Sequence, residues 1–403
     1  MKERALLVSP RFSSPRRQDR FPEATRELEA LCGSAGLEVV DHLVCRQKTP
    51  NAPFLLGKGK VEEAAARVRD RKADVVVFET DLSSTQQRNL EEIIPAKTID
   101  RTQLILDIFS QRARSPEGKL QVELAQMKYL LPRLAGKGVY LSRLGGGVGT
   151  RGPGEQKLEV DRRRIRERIS RLSRELGELR KRRSFSLQKK KEKETALVAL
   201  VGYTNAGKSS LFNRLTHSSA RVEDRLFSTL DTTTRQVDLG HRQKALLVDT
   251  VGFIRNLPHH LVESFKATLE EIVEADVLLH VADAGRPDAA ELGKAVDAVL
   301  ASLGVDRAKS ILVWNKSDLS RRTDGGVPVS AKTGEGIEEL LSVILEALSR
   351  AKQETTFLVP AGSEGLAHFL YEKAEVLERT ESGEGALLKV RISRQGAGLR
   401  HGP

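Results

Sequence analysis

The sequence predicts an α/β protein of several parts: a small N-terminal α/β domain with a helical hairpin, a Rossmann-like domain with a phosphate-binding P-loop, and a small α+β domain at the C-terminal end. Three observations lead there. Strand-like apolar runs alternate with helix-like stretches twice, over residues 1–112 and again over 195–350. Between those regions, leucines and isoleucines repeat at heptad spacing on two segments. The second α/β region opens with an apolar run leading directly into G-x-x-x-x-G-K-S. A chain of 403 residues is too long for one ordinary core, and its 39% hydrophobic content can fill several.

Residues 1–112 read in order as ALLVS, a helix around Arg26–Leu31, LEVVDHLVC, the GKGK loop leading into VEEAAARVRDR, ADVVVFE, a helix over Gln86–Ile94, AKTID and a helix over Thr102–Gln111. That alternation predicts a mostly parallel sheet. Gly57-Lys58-Gly59-Lys60 reads as the plain start of a helix.

Residues 113–190 change period. Leu120, Leu124, Met127, Leu131 and Leu134 form one stripe, and Leu158, Ile165, Ile169, Leu172, Leu176 and Leu179 form another. Two such stripes predict an antiparallel helical hairpin, and Pro132 is expected to end or kink its first helix early. Between the helices lies GKGVYLSRLGGGVGTRGPGEQ, a glycine-rich tip carrying Lys137, Arg143 and Arg151, expected to touch a partner. Residues 151–193 hold seventeen basic and seven acidic side chains, nearly the whole of the chain's net charge of +12. Concentrated beside a glycine loop, that surplus points to a phosphate backbone. The stretch 184–194 reads as a linker.

Residues 195–350 form the P-loop domain, and 355–403 hold a strand (TTFLVP), a helix over Glu364–Arg379 and a strand (ALLKVRIS). The two cysteines, Cys32 and Cys45, exclude a disulfide framework, and the lack of a Cys/His cluster makes a zinc site unexpected. The N-terminus lacks the apolar segment of a signal peptide, and no apolar run approaches the roughly 20 residues of a membrane span. A cytoplasmic protein is expected, a monomer with no integral membrane segment. Its basic charge also suits peripheral attachment to an anionic membrane surface.

Four short motifs carry the chemistry. Gly202, Tyr203, Thr204, Asn205, Ala206, Gly207, Lys208 and Ser209 follow an apolar strand and open a helix. In that setting backbone amides cradle phosphates, Lys208 reaches the β- and γ-phosphates, and Ser209 binds Mg²⁺. Asp249, Thr250, Val251 and Gly252 end a second apolar run. There Asp249 would hold Mg²⁺ through water and the Gly252 amide would sense a γ-phosphate. Asn315, Lys316, Ser317 and Asp318 end a third run, and a carboxylate there can accept both the N1–H and the exocyclic amine of guanine, a donor pair that adenine lacks. Ser330, Ala331 and Lys332 follow a further short strand, where a backbone amide can meet the guanine oxygen. In this order, each at a strand end, they predict a P-loop GTPase (G) domain using GTP and GDP with Mg²⁺. The switch threonine lies in FSTLDTTTR, with Thr229, Thr232, Thr233 and Thr234 as candidates. Phe253 stands just after D-x-x-G, where many GTPases carry the Gln that orients water, so slow intrinsic hydrolysis is expected.

GTRGPGE (149–155), FSTLD (227–231), DTVGFIRNLP (249–258) and FKATLEE (265–271), with the GKGK loop and the IDRT stretch, resemble signatures of the HflX family of ribosome-associated GTPases over nearly the whole chain. The resemblance implies a GTPase that binds the large ribosomal subunit and its RNA through residues 137–183. It also implies a role in splitting or rescuing stalled ribosomes. It selects Thr229 as the Mg²⁺-binding switch residue, within a nucleotide-facing segment of Phe227, Ser228, Thr229, Leu230 and Asp231. For Asn205 it implies a potassium ion near the phosphates, and for the N-terminal domain of some members, ATP binding. Two positions depart from the family pattern: Thr232 stands in place of Pro, and GEQKLE in place of GETQLE. Two other readings are a GTPase serving tRNA modification, which would need a C-terminal Cys that this chain lacks, and an RNA-binding scaffold in which GTP is structural.

Overall fold

Short β-branched runs separated by amphipathic helices cannot pair as hairpins, so they pair in parallel with the helices covering both faces. A computed structural model shows this arrangement and describes residues 2–12, 21–134, 153–191, 196–218, 226–227, 229–240, 243–255, 261, 266–320, 322, 324–350, 352–360, 362–373, 375–382 and 385–393. Two compact units form: residues 1–183 with 221–232 and 251–269, and residues 184–220 with 233–250 and 270–403.

In the first unit the order is β1 (Arg4–Phe12), α1 (Phe21–Ala35), β2 (Glu38–Gln47), α2 (Lys58–Arg71), β3 (Val75–Phe78), α3 (Ser84–Ile93), β4 (Lys97–Asp100) and α4 (Arg101–Arg112). The strands lie in the order β2-β1-β3-β4, all parallel. Leu6, Val8, Leu43, Val76, Phe78 and Leu90 centre the core. Lys58–Lys60 form the first turn of α2, and Lys60 pairs with Glu63 at 2.6 Å.

The hairpin helices are α5 (Pro116–Leu134) and α6 (Pro153–Lys191). They meet through Leu120, Leu124 and Met127 on α5 and Ile169, Leu172 and Leu176 on α6, with Arg168 donating to Glu123 at 2.6 Å. Pro132 lies in the last turn of α5, two residues before its final residue Leu134. The stretch 184–191, read as a linker, is helical; its Lys, Gln, Leu and Ser residues are compatible with a helix and nothing there breaks one. Most of the glycine-rich tip, residues 135–152, lies outside the described residues.

The C-terminal end of α5 is pinned to the sheet by buried Asp100. Its Oδ1 accepts from Gln103 N (2.9 Å), capping α4, and from the Tyr129 hydroxyl (2.9 Å). Its Oδ2 accepts from Leu82 N (3.1 Å) and Arg133 (2.9 Å). Burial and the facing carboxylate push the Tyr129 phenol above its ordinary range, so it stays a donor.

In the second unit the strands are β5 (Ala196–Gly202), β6 (Thr233–Gly240), β7 (Gln243–Asp249), β8 (Val277–Asp283), β9 (Ser310–Asn315) and β10 (Val327–Pro328). The helices are α7 (Lys208–Thr216), α8 (Lys266–Glu274, which begins in the first unit), α9 (Ala289–Ser302) and α10 (Ile337–Arg350). The sheet order is β10-β9-β8-β5-β7-β6, parallel except for the edge strand β6. Strand β5 pairs with β8 on one side and β7 on the other, so the chain reverses its winding there and leaves a crevice at the carboxyl ends. The C-terminal end forms β11 (Lys352–Pro360), α11 (Glu364–Lys373), β12 (Glu375–Ser382) and β13 (Gly385–Ser393), an antiparallel sheet ordered β11-β13-β12. The helix expected to reach Arg379 therefore stops at Lys373. Residues 375–382 pair along β13 instead, where Val376 joins the small core of Val359, Leu370, Leu388 and Val390.

Replacing Asp100 with Ala strands the part-buried Arg133 guanidinium, the Tyr129 hydroxyl and two amides. The expected loss is about 3 kcal/mol or more. Hydrogen exchange of the first-turn amides of α4 should then be roughly a hundredfold faster, while exchange in β5 and β7 stays unchanged.

Candidate nucleotide site

The crevice at the end of β5 is lined by loops whose backbones approach too closely for side chains. Gly202 has φ 152° and a Cβ there would strike the Val281 carbonyl; Gly207 has φ 88° and a Cβ would strike the Asn315 amide. The turn between them leads into the N-terminus of α7, which no side chain caps, an arrangement that favours an anion.

Lys208 is buried, its Nζ donating to the carbonyls of Gly202 (3.1 Å) and Tyr203 (2.9 Å). Burial lowers its pKa from 10.5 to about 8, a shift that nearby Asp249 partly offsets. The unfolded chain therefore binds more protons than the folded one between about pH 8 and 10.5, and stability rises with pH across that window. Ser209 Oγ donates to Asp249 Oδ2 at 2.6 Å. This hydroxyl and carboxylate are hard oxygen donors that suit Mg²⁺. Among the described residues no group of three His, Cys, Asp or Glu could hold a metal, so a cation here would draw its other ligands from phosphate and water. Thr250, next in line, turns its hydroxyl onto Leu200 O at 2.6 Å and locks β7 to β5.

Asn315 is 1% exposed and faces inward. Its Nδ2 donates to Ala206 O (2.9 Å) and Gly207 O (3.4 Å), and its Oδ1 accepts from Ala331 N (3.1 Å). It therefore joins the P-loop to the Ser330–Lys332 loop. One oxygen of Asp318 is oriented by Ser330 Oγ at 2.7 Å. Lys316, at φ 64°, spans from Asn205 O (3.0 Å) to the Asp283 carboxylate (2.7 Å). Arg214 of α7 donates to Lys332 O at 3.2 Å.

The second unit thus gathers Gly202 to Ser209, Asp249, Thr250, Asn315 to Asp318 and Ser330 to Lys332. Asp283 is an addition that motif reading missed; its one sequence signal is its place at the end of the apolar run VLLHVAD. Phe227, Thr229, Leu230, Asp231, Val251 and Gly252 belong to the first unit, and Ser228 lies outside the described residues. Phe253 is 3% exposed.

Comparison with known proteins adds an independent line. Family profiles described as GTP-binding GTPase N-terminal, GTP-binding GTPase Middle Region, 50S ribosome-binding GTPase and HflX C-terminal domain match residues 22–110, 112–190, 197–316 and 317–399 in turn. The GTPase HflX of Caldanaerobacter subterraneus is 47% identical over 396 residues, 97% of this chain and 91% of that protein. The chain belongs to the HflX family. It is accordingly a GTPase with a P-loop G domain and an HflX C-terminal domain. The Escherichia coli GTPase HflX is 41% identical over 97% of this chain and 93% of that protein. Among solved structures, the GDP complex of SsGBP is similar at 25% identity, covering 87% of this chain and 99% of that chain with a TM-score of 0.48. Among the described residues no helix is long and apolar enough to cross a membrane.

Two outcomes follow from the geometry. Asp318→Asn reverses one donor–acceptor match with guanine, at about 1–3 kcal/mol per mismatched buried group. Competition binding should show weakened GTP and a preference for xanthosine triphosphate; retained preference for GTP would remove Asp318 from base recognition. Phosphates beside Lys208 favour its charged form. Calorimetric titration of metal-free protein with GDP near pH 8.5, in buffers of different ionisation enthalpy, should show uptake of a fraction of a proton that fades by about pH 7.

Proposed function

We propose that this HflX-family GTPase binds the large ribosomal subunit through residues 137–183 and couples GTP binding and hydrolysis to ribosome splitting, rescue or control of subunit association. The observation that carries the reading is the basic helix α6. Arg163 and Arg164 are exposed at 70% and 74% of their side chains, and their partners within one turn, Glu167 and Asp161, lie at 3.9 and 3.8 Å. Exposed pairs of that kind contribute little, so these guanidinium groups are available to phosphates. The 50S ribosome-binding GTPase profile over 197–316 supports the same partner.

In this reading the chain is organised as an α/β domain (1–112), a hairpin (113–190), the G domain (195–350) and a C-terminal domain (355–403), working as a cytoplasmic monomer. The P-loop amides and Lys208 hold the β- and γ-phosphates, the Gly252 amide senses the γ-phosphate, Asp318 accepts from guanine, and the Ser330–Lys332 backbone meets the guanine oxygen. Ser209 and Thr229 would hold Mg²⁺, with Asp249 acting through water, and the ion would neutralise charge between the phosphates. Asn205 would face a potassium ion. Phe253 can neither donate to nor accept from an attacking water, so nucleophile positioning comes from elsewhere and turnover by the free protein is slow.

Sedimentation with separated subunits over a range of salt tests the proposal. Wild type should pellet with the large subunit and not the small one. Replacing Arg162, Arg163 and Arg164 with Ala should weaken binding and reduce the log–log salt slope by roughly one per lost phosphate contact. Turnover should rise with the large subunit and lose that rise in Thr229→Ala. Absence of large-subunit binding, or fast turnover by the isolated protein, would overturn it.

A further inference from the structure

The segment read above as the switch is anchored within the first unit at both ends. At one end Leu226 N donates to the buried Ser34 Oγ at 3.1 Å. Phe227 follows at φ 57°, a conformation that costs a bulky residue energy and persists only where packing imposes it. The packing is on α4: the Phe227 and Phe109 rings meet edge-on, 4.6 Å apart at 85°.

At the other end Asp231 reaches the foot of α5. Its Oδ2 accepts from Arg114 N (2.9 Å) and Ser115 N (2.8 Å), and its Oδ1 accepts from Ser115 Oγ (2.5 Å). The same Ser115 Oγ accepts from Gly118 N at 2.9 Å, so it closes the first turn of the helix while handing its proton to Asp231. A carboxylate at the N-terminus of a helix is also favoured by the helix dipole. Gly118 is required for this approach, because a Cβ there would collide with the Asp231 carboxylate that three donors hold in place.

We propose that Asp231 is a positioning residue that ties the switch segment carrying Thr229 to the foot of α5, so that the seating of the hairpin and the GTP turnover of the site are coupled. The inference rests on the reading of Thr229 as the switch threonine. The far end of α5 is fixed to Asp100, and its flank packs on α6. A displacement of α5 is therefore passed to Asp231 through three hydrogen bonds rather than absorbed by a loop. The converse also holds: a ligand that draws on Thr229 pulls on the first turn of α5.

The test uses the full chain without ribosomes, so its outcome does not depend on the partner. Asp231→Asn keeps the shape and removes the charge and one acceptor. Gly118→Ala leaves the sequence of the switch unchanged, favours the helix, and pushes on the carboxylate. Gly118→Ala should bind GDP as wild type does, which also reports folding, and both variants should slow single-turnover GTP hydrolysis roughly tenfold or more, since displacement of about an ångström is enough. A Ser115→Ala/Asp231→Asn double variant should be no slower than Asp231→Asn alone. In wild type, hydrogen exchange at the Arg114 and Ser115 amides should differ between a non-hydrolysable GTP analogue and GDP, and in Asp231→Asn it should not. Unchanged or faster hydrolysis in Gly118→Ala and Asp231→Asn, or exchange at those amides that ignores the nucleotide in wild type, would overturn the proposal. Thr229→Ala run in parallel isolates the other failure: if it hydrolyses GTP at the wild-type rate, the switch reading itself is wrong.

Discussion

One buried side-chain amide organises the nucleotide crevice. Asn315 ends β9, and its amide donates to the P-loop carbonyls of Ala206 and Gly207 while accepting from the backbone of Ala331; its own carbonyl accepts from Ala284 N at 2.9 Å. Three loops from three strand ends are thereby held by one residue. An amide suits this role because it offers donors and an acceptor at once and carries no charge to desolvate. The contact also explains Gly207, since no Cβ fits between the loop and the amide. A carboxylate at this position would face two carbonyls with no donor to offer them. Asp318 lies three residues further on, held by Ser330, and so inherits its place from the same anchor.

The first unit shows the same economy around Asp100. Two of its four hydrogen bonds come from α5, through Tyr129 and Arg133, and the Arg133 guanidinium lies 3.4 Å over the Tyr129 ring centroid. The hairpin therefore leaves the sheet from a braced end. At the same end of α4, Arg101 is mostly buried and donates to Arg255 O at 2.6 Å, beyond the D-x-x-G motif. Helix α4, which begins within the IDRT stretch, thus touches the chain just after D-x-x-G through Arg101 and the Phe227 segment through Phe109.

Much of the site was legible in advance because its information is local. A glycine pair around a tight turn, an acidic residue ending an apolar run, and an Asn-Lys-Ser-Asp ending another each express chemistry within a few residues. The parallel sheets were legible for a similar reason, since alternation of strand and helix permits little else. Where the local reading erred, pairing across distance had overridden it. Residues 375–379 could extend a helix by composition, but they found a partner strand in β13.

Sequence by itself determined the GTPase character, the order of the loops around the nucleotide and the concentration of positive charge on one helix, because each depends on residues that are neighbours in the chain. Tertiary structure decided which side chains hold those loops in place. Nothing near Asp231 announces that it accepts from Ser115, 116 residues away, or near Leu226 that its amide donates to Ser34, 192 residues away. Such bonds have no pattern along the chain: a donor and an acceptor separated by that distance meet only because the sheets and helices between them have already been packed.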